Sequence, residues 1–237
     1  MQAVTLIIPV YNEASSLPSF LENLRRFLLD NPHFSETIFV DDGSNDGTAG
    51  VLDGLSAHER ITVLRHASNQ GYGAALKTGI NQAANDLICI IDPDTQYCLN
   101  DIGLLTSHLP NYEMIVGARI GKASQHFPSH QRIAKRTVCS LLSLFCGQKI
   151  LDINSGLRIF RKSLAEHYSS VLSNSFSFTS GITVAALLEK KKILYVPVSY
   201  SQRIGKSKVR SLSYSYHFVV GFCRVLLHKL NQNGEKF

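Results

Sequence analysis

The chain changes rhythm halfway along its length. In the first half, short apolar runs at 4–10, 37–40, 61–64, 87–91 and 114–116 are too short for helices and end in polar residues, which predicts buried strands. Between them, residues 17–29, 48–57, 74–84 and 101–109 carry apolar side chains at helical spacing. Such alternation predicts a doubly wound α/β domain with a parallel sheet, because parallel neighbours need a crossover between them. Ligands of these sheets sit beyond the carboxyl ends of the strands, so the residues just after each apolar run are the candidates for chemistry. After Arg119 the alternation stops. A polar loop at 121–130 precedes an amphipathic segment at 131–145, in which Arg132, Lys135 and Arg136 are followed by Val138, Leu141, Leu142, Leu144 and Phe145. That spacing suits equally a helix packed on a protein core and one lying in a lipid interface.

Composition narrows the setting. With 237 residues and 44% hydrophobic content, the chain can bury a core for one catalytic unit. Residues 1–210 are expected to form it, with a C-terminal amphipathic helix and tail at 211–237. Cys89, Cys98, Cys139, Cys146 and Cys223 are odd in number and form no C-x-x-C, which disfavours a disulfide framework or a zinc site and suits a reducing compartment. The apolar run at 4–10 has no basic region before it and reads as a strand rather than a signal peptide. The best membrane-spanning candidate, 212–230, is interrupted by His217, Arg224, His228 and Lys229, so no span is expected. The net charge of +6 conceals a division: residues 1–118 hold 5 basic and 14 acidic residues, residues 119–237 hold 19 and 4. The acidic half suits cations; the basic half, 119–210 above all, suits phosphates or an anionic membrane surface. The basic stretches lack interleaved aromatics, so a nucleic-acid partner is not expected.

Acidic clusters follow the strands. Pro9, Val10, Tyr11, Asn12 and Glu13 close the first run, and Asp41, Asp42, Gly43 and Ser44 the second. Carboxylates here can accept hydrogen bonds from base N–H groups, with Tyr11 as an aromatic face and Pro9 as a rigid wall. The stretch from Asp42 to Thr48 reads also as a turn and helix cap. The third cluster is Asp92-Pro93-Asp94-Thr95-Gln96. Two acids one residue apart at a strand end suit a hard divalent ion, Mg²⁺ or Mn²⁺, bridging a diphosphate, although D-x-D alone also fits a solvated turn. Gly71-Tyr72-Gly73 resembles a piece of a dinucleotide fingerprint, but Leu76 replaces its last glycine and the motif is not carried by the turn after the first strand, which excludes NAD. These glycines are expected to let a loop and helix start pack beneath the nucleotide, with Lys77 near phosphate. Asp152, an acid in the basic half, is either a salt-bridge partner or a positioned catalytic group. The run from Arg203 to Arg210 is either a phosphate clamp or a solvated surface.

In this order the motifs I-I-P-V-Y-N-E, V-D-D-G-S-N-D-G-T, N-Q-G-Y-G-A-A, D-P-D-T-Q, G-A-R, D-I-N-S-G-L-R and R-I-G-K-S-K resemble the family 2 glycosyltransferases of GT-A fold, within them the polyprenyl-phosphate and dolichyl-phosphate sugar synthases. The resemblance implies a Rossmann-like mixed sheet flanked by helices. It implies that Pro9, Tyr11, Glu13, Val40, Asp42, Lys77, Asp92 and Pro93 surround a nucleoside-diphosphate sugar of GDP-mannose or UDP-glucose type. By the same resemblance Asp92, Asp94 and Gln96 would hold Mg²⁺ or Mn²⁺, and Arg119, Arg132, Arg203 and Lys208 would meet acceptor or donor phosphates. Asp94, Arg119 and Asp152 are its candidate catalytic residues. The implied reaction is inverting transfer to undecaprenyl or dolichyl phosphate by an enzyme lying peripherally on the cytoplasmic face of a membrane. A saccharide hydroxyl acceptor, with Asp152 as base, and a catalytically silent nucleotide-sugar-binding protein are the alternatives.

Overall fold

The computed structural model of the protein describes residues 2–55, 59–109, 111–126, 129–201 and 211–234. Among them the strands are β1 (Val4–Val10), β2 (Glu36–Asp41), β3 (Ile61–Arg65), β4 (Leu87–Ile90), β5 (Met114–Ala118), β6 (Arg158–Arg161) and β7 (Ile193–Pro197). The helices are α1 (Leu17–Asp30), α2 (Thr48–Asp53), α3 (Tyr72–Gln82), α4 (Asn100–Thr106), α5 (Ser129–Cys146), α6 (Lys162–His167), α7 (Phe178–Leu188) and α8 (Ser211–Gly234).

One sheet runs in the order β3-β2-β1-β4-β6-β5-β7. Strands β1 to β4 pair in parallel, as their alternation with helices requires, and β7 lies parallel to β5. The sheet is mixed, as the resemblance implies: β6 enters between β4 and β5 and runs antiparallel to both. The chain reaches β6 from α5 through the loop at 147–157, so no βα crossover fixes its direction.

Helices cover both faces, and every residue of β1 is therefore buried. Ile7 points to one core with Leu76 and Ile80 of α3 and Phe178 and Ile182 of α7. Leu6 and Ile8 point to the other, with Ile102 and Leu105 of α4 and a stripe on α1 formed by Leu17, Phe20, Leu24 and Phe27. Pro18 in the first turn of α1 removes only an N–H that has no helical acceptor. Each buried Leu or Phe contributes about 1.5–3 kcal/mol before the entropy of ordering is deducted.

The helices α5 and α8 are less embedded. Cys139 is the buried hydrophobic of α5, whereas Ile133, Leu141, Leu144 and Phe145 are exposed, Leu144 to 85%. Helix α8 seats Val225 in the core beside α7 and exposes Leu227 and Leu230. Phe145 meets Phe222 with ring centroids 6.2 Å apart, so the two helices are neighbours. Apart from Leu29 and Leu104, all large exposed apolar side chains among the described residues lie on them. Neither helix contains an acidic residue. Among the described residues, no helix is long and apolar enough to cross a membrane.

Candidate active site

The carboxyl ends of β1, β2 and β4 converge on a cavity of about 240 Å³. Strand β1 pairs with both neighbours, Pro9 opposite Val40 and Ile7 opposite Ile90, so the motifs that follow each strand emerge side by side. Pro9, Tyr11, Glu13, Asp42, Asp92, Pro93 and Asp94 all line the space. Two non-glycine residues at these ends take left-handed backbone, Asn12 with φ 51° and Thr95 with φ 57°. Such a conformation costs a β-branched residue on the order of 1–3 kcal/mol, and it bends the chain directly after Asp94.

The two aspartates of the stretch from Asp42 to Thr48 serve different partners. Asp46 ties the turn before α2, whose N-cap is Gly47: its Oδ1 accepts from the Thr48 amide and hydroxyl, and its Oδ2 from the Ala14 amide. Burial pushes the Asp46 carboxyl up, but these bonds outweigh it and lower it. Asp42 turns to the cavity and organises the opposite wall, accepting the amides of Gln70 on Oδ1 and Gly71 on Oδ2, each at 2.8 Å.

That opposite wall contains residues which sequence reasoning did not assign. Asn69, Tyr72 and Ala75 line it together with Phe176 from the loop between α6 and α7. The Tyr72 and Phe176 rings stack with centroids 5.0 Å apart. Burial raises the Tyr72 phenol well above its usual value, and the Asp92 carboxylate adds to the rise. Gly71 and Gly73 are required here, because a Cβ on either would collide with the backbone at Asn174. Gly71 also has φ 104°.

Three expected residues, Lys77, Val40 and Gln96, are not brought to the cavity. The Asn174 carbonyl accepts the Gly73 and Ala74 amides at 2.9 and 3.2 Å, so the chain itself caps the start of α3 where a phosphate was expected. The Lys77 ammonium donates to the Leu172 carbonyl at 2.6 Å and to Asn174 Oδ1 at 2.8 Å, which fixes it behind the wall. Val40 is fully buried in the core against α3, because alternation along β2 turns its side chain into the protein. Gln96 does not line the cavity, and its amide nitrogen donates to the Ser201 carbonyl at 3.1 Å.

A buried charged cluster stands beside the acidic pair. Asp152 is fully buried and chelates Arg119, Oδ2 accepting from Nε at 2.9 Å and Oδ1 from Nη2 at 3.0 Å. The Arg119 amide donates to Asp152 Oδ2, and Lys135 of α5 pairs with Oδ1 at 2.8 Å. Arg119 Nη2 also reaches Asn154 Oδ1. Burial pushes the Asp152 carboxyl up, but Arg119 and Lys135 together hold it well below the usual carboxylate range. Burial lowers the Lys135 ammonium, and Asp152 restores part of that loss. The salt-bridge reading of Asp152 is therefore realised. A carboxylate locked between two cations is a poor general base, and here it holds Arg119.

Tyr200 joins the cluster, its ring centroid 5.4 Å from the Arg119 guanidinium. Burial raises the Tyr200 phenol; Arg119 opposes the rise, while the Asp94 and Asp92 carboxylates add to it. Tyr97 packs edge-on against Tyr200, and its hydroxyl oxygen accepts the Gly156 amide at 2.9 Å. A Cβ at Gly156 would strike Asp92, so this glycine lets the 152–158 segment close on the strand end. Arg132 lies half-buried one helical turn before Lys135. Arg203 and Lys208 lie outside the described residues.

The donor set fits a hard divalent ion. Asp92 and Asp94 present carboxylates to one cavity, and among the described residues no group of three metal-ligating side chains exists. An ion held by two carboxylates would complete its shell with diphosphate oxygens and water, the habit of Mg²⁺ and similar ions rather than of zinc.

Similarity to known proteins agrees with this geometry. The undecaprenyl-phosphate 4-deoxy-4-formamido-L-arabinose transferase of Proteus mirabilis (strain HI4320) is 27% identical over 208 residues, covering 86% of this chain and 62% of its own length. The chain thus spans less than two thirds of that relative. The UDP-N-acetylglucosamine--dolichyl-phosphate N-acetylglucosaminyltransferase of Methanococcus voltae is 27% identical over 216 residues, 82% of this chain and 84% of its own. Glucosyl-3-phosphoglycerate synthase from Mycobacterium tuberculosis, crystallised with Mn²⁺, uridine diphosphate and glucosyl-3-phosphoglycerate, matches with a TM-score of 0.68 at 16% identity, over 96% of this chain and 80% of that one. At that identity the likeness speaks for the fold, a GT-A mixed α/β sheet flanked by helices. The sequence pattern of glycosyl transferase family 2 matches residues 5–169, and the chain belongs to that family.

Proposed function

We propose that this chain transfers a sugar, with inversion, from a nucleoside diphosphate to a polyprenyl phosphate such as undecaprenyl or dolichyl phosphate. The carrying observation is the pairing of a cavity lined by Asp42, Asp92 and Asp94 with a buried Arg119–Asp152–Lys135 cluster beside it. In the reaction, an acceptor phosphate oxygen attacks the anomeric carbon while the bond from that carbon to the donor diphosphate breaks, releasing the nucleoside diphosphate. A phosphate monoester has its second pKa near ~6, so the nucleophile needs little help from a base. The difficulty is to bring two anions together. Arg119 and Lys135 outnumber Asp152 and leave positive charge on the acceptor side, to which Arg132 and, outside the described residues, Arg203 and Lys208 add. Pro9, Tyr11, Glu13 and Asp42 hold the nucleoside of a UDP or GDP sugar, and Pro93 shapes the floor near the diphosphate. Mg²⁺ or Mn²⁺ held by Asp92 and Asp94 would neutralise charge on the leaving diphosphate. Asp152 orients Arg119, which disfavours a hydroxyl acceptor that needs a base.

Residues 1–210 form the catalytic unit in this reading, and α5 and α8 rest on the cytoplasmic face of a membrane. Exposed Leu141, Leu144, Phe145, Leu227 and Leu230, and the lack of acids on both helices, support that placement. The test is transfer of radiolabelled sugar from a panel of UDP and GDP sugars into the organic phase, with Mn²⁺ or Mg²⁺ and undecaprenyl or dolichyl phosphate. Transfer that Asp94→Asn abolishes supports the proposal. Metal-dependent nucleotide-sugar binding without transfer to either lipid refutes the acceptor.

A further inference from the structure

We infer that His66 is a positioning residue of the donor site, acting through Asp42; the inference rests on the reading of Asp42 as a nucleotide-holding carboxylate. His66 follows the last residue of β3, where its amide donates to the Asp41 carbonyl at 2.9 Å. Its ring lies beneath the cavity, with the side chain 8% exposed and that of Asp42 4% exposed. His66 Nδ1 is 2.7 Å from Asp42 Oδ1, and Nε2 is 2.9 Å from the Thr78 hydroxyl on α3. An ionised carboxylate only accepts, so Nδ1 carries the hydrogen, and in the neutral ring Nε2 accepts from Thr78.

Counting acceptor positions shows what this bond achieves. A carboxylate offers about four lone-pair sites. Oδ1 receives His66 Nδ1 and the Gln70 amide, and Oδ2 receives the Gly71 amide. The three donors fix the plane of the group, and the site left on Oδ2 belongs to a carboxylate that lines the cavity. His66 is the side chain among these donors; the other two are main-chain groups of the loop that Asp42 itself organises. Without Nδ1–H, Asp42 keeps only the two amides of the loop that it organises and loses its tie to the end of β3, so the carboxylate can shift together with that loop. Asp42 touches a part of the donor remote from the bond that breaks, so its loss weakens ground state and transition state alike. KM for the donor rises and kcat stays.

Replacing the ring by an amide at two lengths separates its two nitrogens. The Asn amide reaches about as far as Nδ1, and the Gln amide as far as Nε2. Titration calorimetry of UDP and GDP with Mn²⁺ is expected to give His66→Asn within about threefold of the wild-type dissociation constant and His66→Gln at least about tenfold weaker. Both variants lose the same ring, so general loss of packing is common to them and is read separately from thermal unfolding. Thr78→Val keeps the ring and removes only the partner of Nε2; it is expected within about threefold of wild type and serves even if both ring replacements unfold. Equal weakening in the Asn and Gln variants, or a tenfold loss in Thr78→Val, overturns the inference while leaving the donor site intact. A wild-type protein that binds neither nucleotide overturns the donor reading, and this inference with it.

Discussion

Asp152→Asn keeps the size of the side chain and removes its charge, leaving Arg119 and Lys135 facing each other around a neutral amide. The Asp152 side chain is fully buried, and those of its partners are 10% and 22% exposed, so water can offset little of the loss. Removing one partner of a buried, hydrogen-bonded ion pair costs about 3–5 kcal/mol. For a chain of this size each kcal/mol moves the unfolding midpoint by roughly 2–4 °C, so a fall of roughly 6–20 °C is expected at pH 7. The sign of the pH dependence follows from the depressed Asp152 carboxyl. Its contribution is complete above the unfolded-state value near ~3.9 and is lost as pH falls further, because the unfolded chain takes up a proton that the folded one resists. The gap between variant and wild type should therefore close from about pH 4 downward. Differential scanning calorimetry at neutral and acid pH reads both quantities. A midpoint within about 2 °C of wild type at pH 7, or a gap that widens in acid, would falsify the account of the cluster. Adding Lys135→Met to Asp152→Asn should recover part of the loss by removing one of the two stranded cations.

Asp94→Asn should lower transfer at least about 100-fold and weaken Mn²⁺ binding while leaving the unfolding midpoint nearly unchanged, since its side chain faces a cavity rather than a core; retained Mn²⁺ affinity by calorimetry would contradict its assignment as a ligand. Gly73→Ala should destabilise by about 1–3 kcal/mol in urea titration and weaken nucleotide binding, because the added Cβ meets the Ser173 and Asn174 backbone, which has little room to move. A neutral result would mean that the 173–175 loop yields freely. Leu144→Glu, at a side chain 85% exposed, should leave thermal stability within about 1 °C and reduce flotation with anionic vesicles. Unchanged flotation would remove α5 from the membrane surface.

The half of the molecule with local rhythm was legible. All five early strands, the helices between them and the motifs at their ends followed from short-range pattern, and six of the eight nucleotide-site residues named from sequence line the cavity. The two that do not, Lys77 and Val40, depended on which way a side chain points. Strand alternation decided that for Val40, and the 172–174 loop decided it for Lys77. The remainder was hidden for a physical reason: it depends on contacts between residues far apart in sequence. Strand β6 has only four residues, and its place between β4 and β5 has no local signature. Phe176 belongs to a serine-rich loop; the aromatic Tyr72 between two glycines was visible, but nothing near it announced the ring that stacks on it. For Asp152, sequence offered ion pair or base, and only the position of Arg119 and Lys135 chose between them.

The antiparallel insertion of β6 also governs the order in which the protein can be assembled. Strands β1 to β4 pair among themselves, so that block of sheet is complete in pairing once residue 90 has been made. Among the described residues β5 pairs with β6 and β7 alone, and β6 also covers the free side of β4. A chain stopped at residue 118 therefore presents β4 as a bare edge and β5 as a strand with no partner. Residues 1–118 alone therefore leave two strands with unpaired edges. Limited proteolysis of nascent chains of increasing length should find 114–118 cleavable until residues 158–161 have emerged, and the cavity wall that carries Phe176 is added only after that.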